Sequence, residues 1–119
     1  MKHKIDIYIP VWDTKLCVLF HSDKTKSILK KLKFSSEEIN EIVTTHCDGL
    51  TYTGNQNTII ILINRYTSRA NLIGTLSHEA FHATQNILQD RDVKFKNSDG
   101  NEPHAYLLGF IMEQIAKKI

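Results

Sequence analysis

The sequence predicts an α+β fold in which a small antiparallel or mixed sheet packs against helices, and three observations predict it. Short apolar runs, Ile5 to Val11, Leu16 to His21, Leu50 to Thr53 and Thr58 to Asn64, are separated by turn-forming residues at strand spacing. A longer stretch, Ser68 to Gln89, contains no proline and one glycine and carries its apolar residues at helical spacing. A chain of 119 residues can bury one sizeable core, and no repeat, long linker or low-complexity segment divides it, so residues 1–119 read as a single domain.

Taken in order, Ile5 to Val11 alternates loosely and Leu16 to His21 is a second apolar run, with Trp12-Asp13-Thr14 between them as a hairpin turn. Ser22 to Lys33 and Ser35 to Cys47 read as helices. The second opens on Ser35 and Glu38, a capping-box pair, and is broken by Asp48-Gly49. Gly54-Asn55-Gln56-Asn57 then turns a second hairpin. The unbroken run Ile59-Ile60-Ile61-Leu62-Ile63 predicts a central strand covered on both faces, which leaves the sheet edge to residues 50–53 or to an N-terminal strand. The helix Ser68 to Gln89, a polar loop Asp90 to Asn101 and a C-terminal helix opening at Glu102 complete the order. Pro103 falls in the first turn of that helix, where its missing N–H is no loss.

A net charge of +2 does not argue for nucleic acid, although the first 34 residues hold eight lysines against three acids. Lys24, Lys26, Lys30, Lys31 and Lys33 read as a solvated helix face, with an acidic partner as the other reading. Cys17 and Cys47 fall in no paired spacing, which fits reduced thiols in a cytoplasmic protein. No signal-peptide pattern follows the early lysines, and the longest apolar run, Ile59 to Ile63, is far short of a membrane span. Neither a membrane nor nucleic acid is therefore the expected partner, and nothing in the sequence speaks to the oligomeric state.

His78-Glu79-Ala80-Phe81-His82 carries the chemistry. Two imidazoles four residues apart on a helix share a face, and both rings can reach one metal at about 2.0–2.1 Å. The intervening glutamate can lean over the open position and take a proton from water, which makes His-Glu-x-x-His on a helix a signature of zinc-dependent hydrolysis. Leu72, Ile73, Leu76, Ala80, Ala83 and Ile87 fall within about 100° of arc, and the histidines lie about 150° from its centre. Packed core histidines are thereby disfavoured, while two solvated surface histidines remain the alternative.

A catalytic zinc takes three protein ligands and keeps one open position. Gln85 and Leu88 stand where a metzincin would have glycine and histidine. Glu102, at the mouth of the last helix, is the better third ligand. On a helical projection it lies beside a column of small residues, Ala105, Gly109 and Ala116, which would let the two helices approach closely. Leu108, Ile111, Met112, Ile115 and Ile119 widen that side into an expected buried stripe. His104 is the rival ligand, and a capping role at the helix N-terminus is the structural alternative for Glu102. Tyr106, one turn on, is a candidate to stabilise an oxyanion or brace the carboxylate, against an ordinary packed tyrosine.

The stretches Thr75-Leu76-Ser77-His78-Glu79-Ala80-Phe81-His82 and Asn101-Glu102-Pro103-His104-Ala105-Tyr106-Leu107-Leu108-Gly109 together resemble a known family. They are similar to the gluzincin-type zincins, the thermolysin-like group in which two helix histidines and a downstream glutamate bind zinc. The nearest likeness is to small metallopeptidase domains found in phages and bacteria. The resemblance spans residues 57–116 and is specific at those two stretches. It implies a minimal zincin-like fold, Zn2+ as cofactor, His78, His82 and Glu102 as ligands and Glu79 as catalytic base. It also implies a peptide or protein substrate lying extended along a sheet edge. Large gluzincins carry a substrate-binding subdomain for which this chain is too short. The expected activity is that of a zinc metallopeptidase in which Glu79 takes the proton of water and passes it to the leaving nitrogen. Two other readings stay open. One is a zinc-binding interaction or inhibitory module without turnover, its fourth position filled by His104, His46 or Cys47. The other is an α+β interaction protein that carries the motif by accident.

Overall fold

The computed structural model describes residues 3–54, 57–94 and 101–119; Asn55 and Gln56 of the expected turn and residues 95–100 of the expected loop lie outside the described residues. The fold is α+β, with a mixed four-stranded sheet and four α-helices among the described residues. Strands β1 (Lys4–Ile9) and β2 (Thr14–Phe20) form the N-terminal hairpin, turned by a short 3-10 segment at Pro10–Trp12 and by Asp13 at φ 44°. Helices α1 (Thr25–Lys31) and α2 (Ser36–Val43) follow. Then come β3 (Gly49–Thr53), β4 (Thr58–Ile63), α3 (Arg69–Gln89) and α4 (Glu102–Ala116).

Both early helices are shorter than the sequence suggests. The Ser35 capping box forms in full: Glu38 N–H donates to Ser35 Oγ at 3.1 Å and Ser35 N–H donates to Glu38 Oε1 at 2.9 Å. At the other end the hydroxyls of Thr44 and Thr45 donate to the carbonyls of Asn40 and Glu41, satisfying acceptors that a further turn would have used. Helix α2 therefore stops four residues before Cys47.

The sheet order is β1-β2-β4-β3, with β2 and β4 parallel and both outer pairs antiparallel. Every residue of β4 is buried, as its unbroken apolar run predicts. Its alternate residues serve two cores. Ile59, Ile61 and Ile63 join Ile5, Ile7, Val18, Leu72, Leu76, Ile87, Leu107 and Ile111 on the α3/α4 side. Ile60 and Leu62 join Leu19, Leu29, Phe34 and Ile42 on the α1/α2 side. The result is three layers, helices on both faces of one sheet.

This order leaves β3 as an edge strand lying along α3. A Cβ on Gly49 would come within 2.7 Å of Thr75 Cγ2 and 3.0 Å of Glu79 Cγ, so strand and helix approach as closely as they do because residue 49 has no side chain. None of the helices among the described residues is long and apolar enough to cross a membrane.

Candidate metal centre on helix α3

Helix α3 starts where Ser68 Oγ accepts from Asn71 N–H at 3.0 Å. It buries Leu72, Leu76, Ala80, Ala83, Ile87 and Leu88 against the sheet and α4. Ile73, expected on that stripe, is 40% exposed at its margin. On the far face His78 and His82 are exposed, and their Nε2 atoms converge to 3.1 Å, with ring centroids 4.7 Å apart and planes at 77°. Two donors closer together than twice a bond of about 2.0–2.1 Å can share one zinc ion. Without an ion, the same separation is an N–H···N hydrogen bond in which one ring donates.

Glu79 is only 6% exposed. The spacing puts it on the flank of the helix, and β3 then covers it. Thr51 Oγ1 donates to Glu79 Oε1 at 2.8 Å and lies 3.0 Å from the Glu79 carbonyl oxygen, while Oε2 stands 3.9 Å from His78 Nε2. One carboxylate oxygen is thus held by the edge strand and the other is turned toward the histidine pair. One strand position on from Thr51 along the same face, Asn86 Nδ2 donates to Thr53 Oγ1 at 3.1 Å, a second tie between β3 and α3.

Thr51 and Thr53 therefore point their side chains at α3, and Gly49 lies on the same face. The backbone groups of all three point away from β4. Asn64 N–H bonds to the Asp48 carbonyl and Gly54 N–H to the Thr58 carbonyl, so the even-numbered residues make the ladder bonds and the odd-numbered ones face the open edge. A cleft of about 440 Å³ at the start of that edge is lined by Cys47, Asp48 and Gly49 and, from α3, by residues that include Thr75, His78 and Glu79. Cys47 Sγ donates to the Gly49 carbonyl at 2.9 Å.

Helix α4 packs the expected apolar stripe, Leu108, Ile111, Met112, Ile115 and Ile119, against the core, but not the column of small residues beside Glu102. His104, Leu107, Ile111 and Ile115 are buried, whereas Glu102, Ala105, Gly109 and Ala116 are exposed, and open space surrounds a Cβ placed on Gly109. The column of small residues does not bring α4 close to α3. The larger apolar side chains set the contact, and they pull in His104, which lies on their arc. His104, 5% exposed, lines a cavity of about 570 Å³ with Gln85, Asn86, Gln89, Asp92, Val93 and Lys94. Gln85 and Asn86 stand one turn beyond His82 on α3. Tyr106 is 76% exposed and lines a separate apolar cleft with Ile9, Trp12, Pro103 and Phe110.

The structure thus brings together His78, His82 and Glu79, and adds Thr51. Among the described residues no group of three or more His, Cys, Asp or Glu side chains is placed to hold one ion. Glu102 forms no such group with the histidine pair, and Tyr106 lines the separate apolar cleft. Compared with protein-family models, curated proteins and solved structures, the chain matches none.

Proposed function

We propose that this chain is a zinc-dependent hydrolase, a minimal zincin-like metallopeptidase that cleaves a peptide or amide bond. The observation that carries the reading is the convergence of His78 and His82 Nε2 to 3.1 Å on an exposed helix face, beside a buried carboxylate whose Oε2 is turned toward them. Surface histidines brought together by chance have no need of an ordered, buried glutamate between them.

His78 and His82 would hold the ion through Nε2; Glu102 is the preferred third donor and His104 its competitor, and because neither completes the pair where α4 lies, filling that position requires the first turn of α4 to move toward α3. The chemistry that zinc supplies when bound is acidification of water toward a pKa of ~7 and polarisation of the carbonyl under attack. Glu79 accepts the proton of the attacking water at Oε2 and delivers it to the leaving nitrogen. The outward N–H and C=O groups of residues 49, 51 and 53 bind an extended peptide as an added strand, which lays it across the face of α3 that bears His78. The proposed setting is the cytoplasm, on two free cysteines, one of them deep in the core.

Glu79→Gln tests the reading, because an amide can still accept from Thr51 but cannot take the proton. Zinc-loaded wild type is incubated with a mixture of peptides, and cleavage is read by mass spectrometry. The expected outcome is cleavage by the wild type and none by the variant, at equal zinc content. A Gln variant that cleaves at the wild-type rate contradicts the assignment. Full zinc binding without cleavage by either protein favours the metal-binding module that does no chemistry. Zinc content of Glu102→Ala beside His104→Ala identifies the third donor.

A further inference from the structure

We infer that Thr51 is a positioning residue that couples the binding of a peptide strand at the sheet edge to the orientation of the catalytic base. The inference rests on the hydrolase reading for its meaning and on the geometry of β3 and α3 for its content. The two halves of Thr51 face both partners. Its backbone N–H and C=O lie on the open edge, where an added strand would pair, and its hydroxyl donates to Glu79 Oε1 at 2.8 Å. The same hydroxyl lies 3.0 Å from the Glu79 carbonyl oxygen, so its one proton is shared between the helix backbone and the side chain, with the shorter contact to Oε1.

A glutamate has three rotatable bonds, and burial alone would not choose among its rotamers. The Thr51 hydroxyl engages Oε1 and leaves Oε2 turned toward His78 Nε2 at 3.9 Å, on the side where the attacking water must lie. A strand added at the edge would stiffen β3 at residue 51, and through the hydroxyl it would stiffen the carboxylate too. Close approach is required for this coupling, and Gly49 provides it two residues earlier.

The test pairs Thr51→Val, which keeps the β-branched shape and removes the donor, with Thr51→Ser, which keeps the donor. Crystal structures of both are compared with the wild type. In the Val variant Glu79 Oε2 leaves its position 3.9 Å from His78 Nε2 or spreads over several rotamers, and in the Ser variant it stays. On the peptide that the wild type cuts most readily, the Val variant loses kcat by about 10- to 100-fold, the worth of one hydrogen bond to a charged group. Zinc content is unchanged, KM changes by less than kcat does, and Ser restores most of the rate. A Val variant with Glu79 in its original rotamer, or with unchanged kcat, overturns the inference and leaves the hydrolase reading standing. A wild type that binds zinc but cuts no peptide overturns the reading, and with it the catalytic meaning of Thr51, whatever the rotamer.

Discussion

At the scale of single residues, the chemistry depends on which groups are buried and which are left in water. His78 and His82 are exposed and Glu79 is not, so the ligand pair and the base sit in different environments although they are neighbours in sequence. Gly49 makes that burial achievable. Gly49→Ala places a methyl 2.7 Å from Thr75 Cγ2, and a β-branched side chain in a helix has little rotamer freedom with which to yield. The expected loss of stability is about 1–3 kcal/mol, measured by chemical denaturation, and an unchanged midpoint contradicts the close approach. The two thiols differ as well. Burial, and to a lesser degree the charge of Asp6, pushes the Cys17 thiol up to about 12, and its side chain is 3% exposed. Native protein at pH 8 is therefore expected to be alkylated at Cys47 and not at Cys17, with peptide mapping as the readout. The His-Glu-x-x-His spacing is legible in the sequence because helical geometry is local. The Thr51 contact spans 28 residues, and nothing in a Leu-Thr-Tyr-Thr strand marks which threonine meets a glutamate.

At the scale of elements, the helices show what periodicity can and cannot say. Helix α3 carries Gly74 in its interior, where a methyl group would meet no atom within 4 Å. Gly74→Ala is expected to stabilise the protein by roughly 0.5–1 kcal/mol through backbone entropy, and a loss of stability would show that something closes over that position. Helix α2 is pinned by its capping box, in which the Ser35 N–H, above all, holds the Glu38 carboxyl below the usual carboxylate range. A lowered folded-state pKa gives stability that is present above the unfolded value and lost as pH falls through the folded one. Wild type is therefore more stable than Glu38→Gln at pH 7, and the difference closes on acidification below the usual carboxylate range. A difference that persists at the lowest pH contradicts the capping role. In helix α4 the apolar stripe is legible and its small-residue column misleads, because small residues suggest close packing. Leu107, Ile111 and Ile115 bury more apolar area than alanine and glycine can, and they decide the contact.

At the scale of the whole molecule, one strand position organises the site. The run Ile59 to Ile63 announces a central strand, and with β3 paired on one side of it and an N-terminal strand, β2, on the other, residues 49–53 form an edge. The parallel pairing of β2 with β4 is not legible in the sequence, since it joins segments far apart along the chain and both candidate neighbours are apolar strands. With β3 at the edge, the helix bearing the motif, an open row of backbone groups and a cleft all lie together. The measurement that tests this account most directly is zinc per chain, by elemental analysis of protein purified in metal-free buffer, for wild type beside His78→Ala and His82→Ala. The account predicts about one zinc in the wild type and sharply less in each variant. Folded wild-type protein that holds no zinc, and takes up none when it is supplied, would contradict it.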